Sequence, residues 1–402
     1  MERIPHAKQD LFKSDFISAW ASINNGVVDQ NNKTREKYWN HWKEYTNACK
    51  SNPNLVNCSN AEKIILITGF AARVRTGHYG RGRTVRVQSV TKALAAISTT
   101  IELAGESSPI YKTEKAYKLP VARLIEGYRR EDPPSTPQLA LPIAVPEQCL
   151  KAGRQSKNPY LSAIGELSII AFYYLLRVGE YTKPRMAVYN GKTKRATRTI
   201  QFSVGNIGFF KDGKILPRRS KLNILLQADS CTLKITNQKN GRMGETIHQF
   251  SIDSQFCPVK ALAHRVYHIL KHGGTTDNLI CDVYDKKTKS WNQVTSNAML
   301  KNIRQAVHDL KLSSTGINAD LIGVHSLRAG GAMALKLQGA SDTTIMKIGR
   351  WTSLTFLQYI HNQIAHLNKN ISLQMSQKIT FQNIAAIEKP DHKTQHNLTN
   401  KT

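Results

Sequence analysis

The chain has 402 residues, 40% of them apolar, which is enough for packed cores and divides more naturally into two domains than one. Lysine and arginine outnumber aspartate and glutamate 57 to 28, a formal charge of +29 that points to polyanionic partners, nucleic acid first. No run of about 18 or more apolar residues could span a bilayer, the start Met1-Glu2-Arg3-Ile4 is no secretory signal, and no basic amphipathic helix marks a membrane surface, so the expectation is a soluble intracellular protein with no membrane partner.

Residues 1–130 read as mostly helical. Tyr38, Trp42, Tyr45 and Cys49 recur at the period of a helix with one buried face. Ser59 with Glu62 forms a capping-box pattern before Ile64-Ile65-Leu66-Ile67. Val90, Leu94, Ile97 and Ile101 make a third stripe stopped by Gly105, and Tyr117, Val121, Leu124 and Tyr128 make a fourth, which together suggest a small bundle. Between the second and third helices, the stretch from Arg73 to Arg86 carries five arginines and no acidic residue. Arg73, Arg75, Arg81, Arg83 and Arg86, with Lys92 beyond, are expected to contact DNA phosphates, while the glycines let backbone approach a duplex. A solvated basic loop is the bland alternative.

Residues 131–142, rich in proline, read as a linker, and 143–375 as a second domain. The run Leu167 to Leu176 is expected to be a buried helix ending near Arg177. Thr199 to Val204 alternates as a strand does, and Asp212-Gly213 and Asn240-Gly241 are hairpin-turn dipeptides. Helical period returns after Pro258, at Val259, Leu262, Val266 and Ile269, then at Met299, Ile303, Ala306 and Leu310. Residues 376–402 read as a flexible polar tail. The fold class is therefore mainly α with a small antiparallel β-sheet. Cys49, Cys58, Cys149, Cys231, Cys257 and Cys281 stand singly, with neither a C-x-x-C pair nor histidine at ligand spacing, so no metal, cofactor or disulfide framework is expected.

The most informative stretch is His325-Ser326-Leu327-Arg328-Ala329-Gly330-Gly331-Ala332, followed by Ile348-Gly349-Arg350-Trp351 and Phe356-Leu357-Gln358-Tyr359-Ile360. If Ser326 opens a helix, His325 and Arg328 sit one turn apart and address one site. Gly330, Gly331 and Ala332 leave room for another element to pack closely. Gly339 followed by Ser341-Asp342 reads as a helix stop and a new N-cap.

This H-x-x-R, then G-R-W, then Tyr resembles the C-terminal signature of the tyrosine recombinase, or phage-type integrase, family. Upstream, Leu175-Leu176-Arg177-Val178-Gly179-Glu180-Tyr181 is similar to its first-arginine motif, and Thr236-Asn237-Gln238-Lys239-Asn240-Gly241 to the hairpin bearing its catalytic lysine. The basic N-terminal region resembles the family's helical core-binding domain, and the whole resemblance covers roughly residues 15–375. It implies a core-binding domain joined to a mixed α+β catalytic domain, and an enzyme that recombines or integrates DNA through a 3′-phosphotyrosyl link, without metal or ATP. Its partners would be double-stranded DNA and further copies of the chain, two to four on paired sites. The wording is nearest to recombinases of eukaryotic mobile elements of the Crypton or DIRS type; in a eukaryotic host the protein would act in the nucleus.

The roles follow from chemistry. Arg177 and Arg328 would clamp the non-bridging oxygens, His325 would donate to the phosphate or move the nucleophile's proton, and Tyr359 would attack. Trp351 stands where many relatives have histidine; its donor-only indole can bond the phosphate but cannot be a base. The resemblance makes Lys239 the acid for the departing 5′ oxygen, with Lys221 and Lys234 close enough to compete, and Glu180 orients neighbouring basic groups. Taken singly, each residue has a plainer reading: Arg177 as a helix-end cation, Trp351 and Tyr359 as core aromatics, Lys239 as a solvated turn residue. The rivals are a type IB topoisomerase-like transferase, a degenerate element-derived protein that binds DNA without cutting it, and a metal-dependent nuclease.

Overall fold

Helices α1 (Gln9–Asn25), α2 (Asp29–Ala48), α3 (Asn60–Arg75), α4 (Val87–Leu103) and α5 (Leu119–Glu131) follow one another, with a hairpin of β1 (Tyr111–Thr113) and β2 (Ala116–Tyr117) before α5. The structure, a computed structural model, describes residues 9–25, 29–113, 116–134, 139–189, 192–197, 199–236 and 244–359. Helix α2 packs on α3 and α4, and α5 on the same pair. The expected stripes supply most of this core: Trp42, Leu94 and Ile97 are fully buried, and Phe70, which no stripe included, meets Trp42 edge-on at 5.2 Å, whereas Cys49 is exposed just past the end of α2. Ser59 and Glu62 close the capping box, Ser59 Oγ accepting from Glu62 N (3.3 Å) and Glu62 accepting from Ser59 N (2.7 Å). Gly105, at φ 92°, stops α4.

Two elements here were not foreseen. In α1, Phe16, Ile17, Trp20 and Ile23 stay exposed, so it lacks the buried stripe that made the other helices legible. The short hairpin takes Tyr117 out of the expected fourth helix and stacks it on Tyr111 at 5.0 Å.

The remainder comprises α6 (Ala144–Gln155), α7 (Pro159–Tyr173), α8 (Val178–Tyr181), β3 (Met186–Tyr189), β4 (Lys192–Arg195), β5 (Ile207–Lys211), β6 (Lys214–Leu216), α9 (Leu222–Leu225), β7 (Ser230–Lys234), β8 (Thr246–Phe250), α10 (Pro258–Lys271), β9 (Asp282–Asp285), β10 (Ser290–Gln293), α11 (Ser296–Asp309), α12 (Ser326–Leu337) and α13 (Asp342–Gly349). A 3₁₀ segment, Leu354–Tyr359, follows. The described chain is thus mainly helical with small antiparallel sheets, the largest ordered β6-β5-β7-β8. Asp212 and Gly213, both at positive φ (49° and 73°), make the tight β5–β6 turn that their dipeptide foretold. Helix α7 is central, buried from Ala163 to Phe172 and packed on α6, α10, α12 and β9.

Thr199 to Val204 is not a ladder strand. Phe202 N donates to Glu180 O and Phe202 O accepts from Ile280 N (2.9 Å each), so the extended backbone joins two loops, with only a single bridge from Ser203 to Leu279. The small residues of α12 do admit close neighbours: a Cβ on Gly330 would stand 2.1 Å from Leu141 O, and one on Gly331 2.3 Å from Phe172 O.

Buried apolar side chains form one cluster from Trp42 to Ile125 and another from Leu141 to Leu327. Both ends of the stretch read as a linker belong to these cores. Leu141 is buried in the second, and Asp132 bonds into the first, accepting from Arg75 and from Val87 N (2.8 Å). Lys239, Asn240-Gly241 and the tail at 376–402 lie outside the described residues; β7 and β8 flank the first two. Among the described residues, no helix is long and apolar enough to cross a membrane, no group of three or more His, Cys, Asp or Glu could hold a metal ion, and all six cysteines are free thiols.

Candidate active site

Helix α7 ends at Tyr173, and Leu175 then turns left-handed (φ 47°), an unusual conformation for a branched side chain. Its carbonyl accepts from Arg328 Nη1 on α12 (2.6 Å) and from Arg350 Nη2 just beyond α13 (3.1 Å). One carbonyl thus ties three segments far apart in sequence.

Two residues on, Arg177 caps α8. The Glu180 carboxylate accepts from Arg177 N (2.8 Å) and from its guanidinium (3.3 Å). The same carboxylate, 1% exposed, is gripped by both arms of Arg350, Nη1 on Oε1 at 2.9 Å and Nη2 on Oε2 at 3.0 Å. Burial pushes the Glu180 carboxyl up, but Arg350, then Arg177, overcomes this and holds it below its ordinary range. Arg350 is itself left-handed (φ 58°) where α13 ends, and its buried Nε–H has no partner among the described residues.

Arg328 is 2% exposed. Its Nη2 donates to Gly349 O, and its guanidinium lies 4.2 Å from the centre of the Trp351 ring. That ring covers Gly349 so closely that a Cβ there would meet it at 1.7 Å, which explains the glycine before Arg350. Arg328, expected to clamp phosphate, donates to two carbonyls and lies beneath Trp351. His325 stands half-buried immediately before α12, one turn from Arg328, and Trp351 is half-buried. Arg177 keeps 21% of its side chain exposed. The expected Ser341 cap is present, its Oγ accepting from Thr344 N (3.1 Å). Phe356, fully buried with Ala332 and Ile345, anchors the segment whose last residue is Tyr359. The Tyr359 backbone is described; its side chain, like Lys239, lies outside the description.

The structure therefore gathers Arg177, Glu180, Arg328 and Trp351 by direct contacts and places His325 beside them. Arg350 was missed. It lay in plain view within Gly-Arg-Trp, but a charge after a helix that folds back onto a carboxylate 170 positions upstream leaves no local signal. Lys221 precedes α9 and Lys234 ends β7, both exposed.

The basic stretch is divided differently from expectation. Helix α3 runs on to Arg75, whose guanidinium turns inward: it is 7% exposed, bonds Val85 O (2.6 Å), pairs with Asp132 and Glu131, and lies 5.1 Å from the Tyr128 ring centre. These internal partners remove Arg75 from the expected phosphate contacts. Arg73 is exposed along Tyr45 (5.5 Å). Arg81, Arg83, Arg86 and Lys92 are exposed. Gly77 (φ 77°) serves the loop itself, since a Cβ there would stand 2.1 Å from Arg83 O.

No family model matches the chain, and no curated protein matches it. Among solved structures, the chain is similar to the Tn1549 transposon integrase in complex with transposon right-end DNA, at TM-score 0.48 and 10% identity over 89% of this chain and 98% of that one. It is similar to the XerH site-specific recombinase bound to palindromic difH substrate, at TM-score 0.46 and 13% identity over 78% and 72%. A third is the XerA recombinase, at TM-score 0.34 and 13% identity over 90% and 98%. These three solved structures are an integrase and two recombinases.

Proposed function

We propose that the chain is a tyrosine recombinase that cuts and rejoins DNA, with Tyr359 as nucleophile. The observation that carries this reading is the tie at Leu175 O and Glu180, which puts two guanidiniums (Arg177 and Arg350) on one carboxylate and a third (Arg328) on the carbonyl that Arg350 shares. Such a floor is net positive and largely dry, suited to stabilising charge that grows on a phosphate and to favouring a nearby phenolate.

In the proposed reaction, the Tyr359 oxygen attacks phosphorus, a phosphotyrosyl bond forms, and the bond to the 5′ oxygen breaks. Arg177, the exposed member of the trio, bonds a non-bridging oxygen; Arg328 and Arg350 act from beneath. The Trp351 indole N–H offers a further donor, and His325 bonds the phosphate or carries the tyrosine proton. Lys239, between β7 and β8 in sequence, gives the leaving 5′ oxygen its proton, with Lys234 and Lys221 as alternatives. Because one phosphoester replaces another, bond energy is conserved and neither metal nor ATP is called on. Arg73, Arg81, Arg83, Arg86 and Lys92 bind duplex phosphates, residues 1–130 and 143–375 grip DNA as core-binding and catalytic domains, and two to four copies pair their sites. The motif wording places the chain with Crypton or DIRS-type elements and, in a eukaryotic host, in the nucleus.

One observation favours a rival, a DNA-binding protein that no longer cuts: Arg328 is 2% exposed and donates to two internal carbonyls. The test mixes the protein with nicked duplexes of randomised sequence, without divalent metal, and resolves covalent protein–DNA adducts on denaturing gels. Wild-type adduct, absent in Tyr359→Phe although that variant binds DNA normally, is the expected result. Adduct formation by the variant would move the nucleophile elsewhere, and salt-sensitive binding with no adduct would favour the rival.

A further inference from the structure

The opposite end of α7 borders a second feature. Fifteen residues at about 1.5 Å each separate the two ends by roughly 22 Å. Leu175 and Arg177 follow the far end, whereas Asn158 and Tyr160, at the start, line a cavity of about 910 Å³ completed by α10 and the β9–β10 hairpin. That volume lies within the range of small-molecule sites.

His264 and His268 on α10 and His272, its C-cap, recur every fourth residue and all line the cavity. His268 Nε2 accepts from Tyr284 N (3.1 Å), locking the hairpin to the helix. Burial, then Arg265, His272 and Lys286, pushes the His268 imidazole down to about 3, which keeps it the neutral acceptor this bond requires. His272 donates from Nδ1 to His268 O (2.8 Å) and lies flat on the Tyr284 ring, centroids 5.1 Å apart at 21°. Its Nε2, the acceptor of the neutral ring, is buried and has no partner among the described residues. Lys157, Lys271, Lys286 and Lys287 line the same cavity, against Asp285; the other two charges, Glu166 and Arg265, face each other at 3.6 Å. Four ammonium groups against one further carboxylate leave an excess of three positive charges beside an aromatic wall with an unused acceptor.

We infer that this cavity binds a phosphorylated planar base, as a free nucleotide or as the terminal nucleotide of a strand. The base lies along the His272–Tyr284 stack, a base N–H donates to His272 Nε2, and the phosphates rest on the lysines of the β9–β10 turn. The inference uses none of the residues assigned to strand cleavage and stands whether or not Tyr359 is a nucleophile.

The test titrates the full chain calorimetrically with ADP, adenosine and inorganic phosphate. ADP is expected to bind at least about ten-fold tighter than either fragment, since it alone uses both halves of the site. Lys286→Ala with Lys287→Ala, on an exposed turn, should weaken ADP about ten-fold and leave adenosine unchanged. His272→Phe keeps a ring in the stack but removes the acceptor, so it should weaken ADP and adenosine together and leave phosphate unchanged. A single-stranded hexamer that displaces ADP only when 5′-phosphorylated identifies a strand end as the source; failure of both hexamers to displace it identifies a free nucleotide. ADP binding no tighter than phosphate, or untouched by either set of substitutions, overturns the proposal. Thermal melting of each variant separates loss of the site from loss of the fold.

Discussion

Two buried arginines, one in each core, show how the same pairing serves different ends. Arg75 closes the helical bundle. It faces two carboxylates, Asp132 and Glu131, and joins the ends of α3 and α5 to the start of α4, where Asp132 also accepts from Val87 N. Charge there is more than balanced, and Arg75 itself is in ordinary helical backbone. Arg350 closes the candidate active site. It shares one carboxylate with Arg177 and one carbonyl with Arg328, so positive charge is in excess, and both Arg350 and Leu175 are left-handed. Strained backbone and uncompensated charge cost stability, and they concentrate where a site must be held ready for a charged ligand. The lesson is that burial and pairing alone do not distinguish the two arginines; the balance of charge around each does.

Removing each arginine sharpens the contrast. Arg350→Leu strands Glu180, 1% exposed, with Arg177 alone, and should lower the unfolding free energy measured by urea titration by about 3–5 kcal/mol. Arg75→Leu should cost less, about 1–3 kcal/mol, because Glu131 is 63% exposed and rehydrates while Asp132 keeps its bond to Val87 N. Equal losses would erase the distinction between the two nodes.

How much of this was legible in the sequence depends on range. Local signals carried well: the Ser59–Glu62 box, the Asp212-Gly213 turn, the Ser341 cap and the stripes of α2 to α5 and α7 all act within a few residues. His325 and Arg328 were rightly placed one turn apart, and Gly330 and Gly331 rightly read as close-packing positions. What failed was the fate of long polar side chains. Nothing near Arg75 says that it turns inward to Asp132, 57 positions on, nor near Arg328 that it meets Leu175 O, 153 positions back. Thr199 to Val204 misled for a related reason: alternation reports an extended, half-buried backbone and cannot name its partners.

Acid titration should separate Glu180 from a second buried glutamate. Glu180 is held below its ordinary 4.5, so its contribution to stability is full above that value and lost as pH falls through the lower folded one. Glu166, buried on α7 against Arg265, is instead pushed up to about 7 by burial, so its contribution is full below 4.5 and lost as pH rises towards 7. His264 and His268, both lowered mainly by burial, oppose that decline, so the informative quantity is the difference between wild type and Glu166→Gln. That difference should change between pH 4.5 and 7 and be flat above; for Glu180→Gln it should change only below 4.5. A Glu180 difference that moves near neutrality would mean that its pair with Arg350 is loose.

The smallest effect separates the inward arginine from its exposed neighbours. Replacing Arg81, Arg83 and Arg86 with glutamine should leave the unfolding midpoint almost unmoved, because all three are exposed, yet flatten the salt dependence of DNA binding by up to about 0.9 per lost phosphate contact. Arg75→Leu should do the reverse, lowering the midpoint while keeping the slope, since its guanidinium is already neutralised inside the bundle. If the slope fell with Arg75→Leu and held with the triple change, the DNA surface would have to lie on the α3–α5 seam, and the loop between α3 and α4 would be merely solvated.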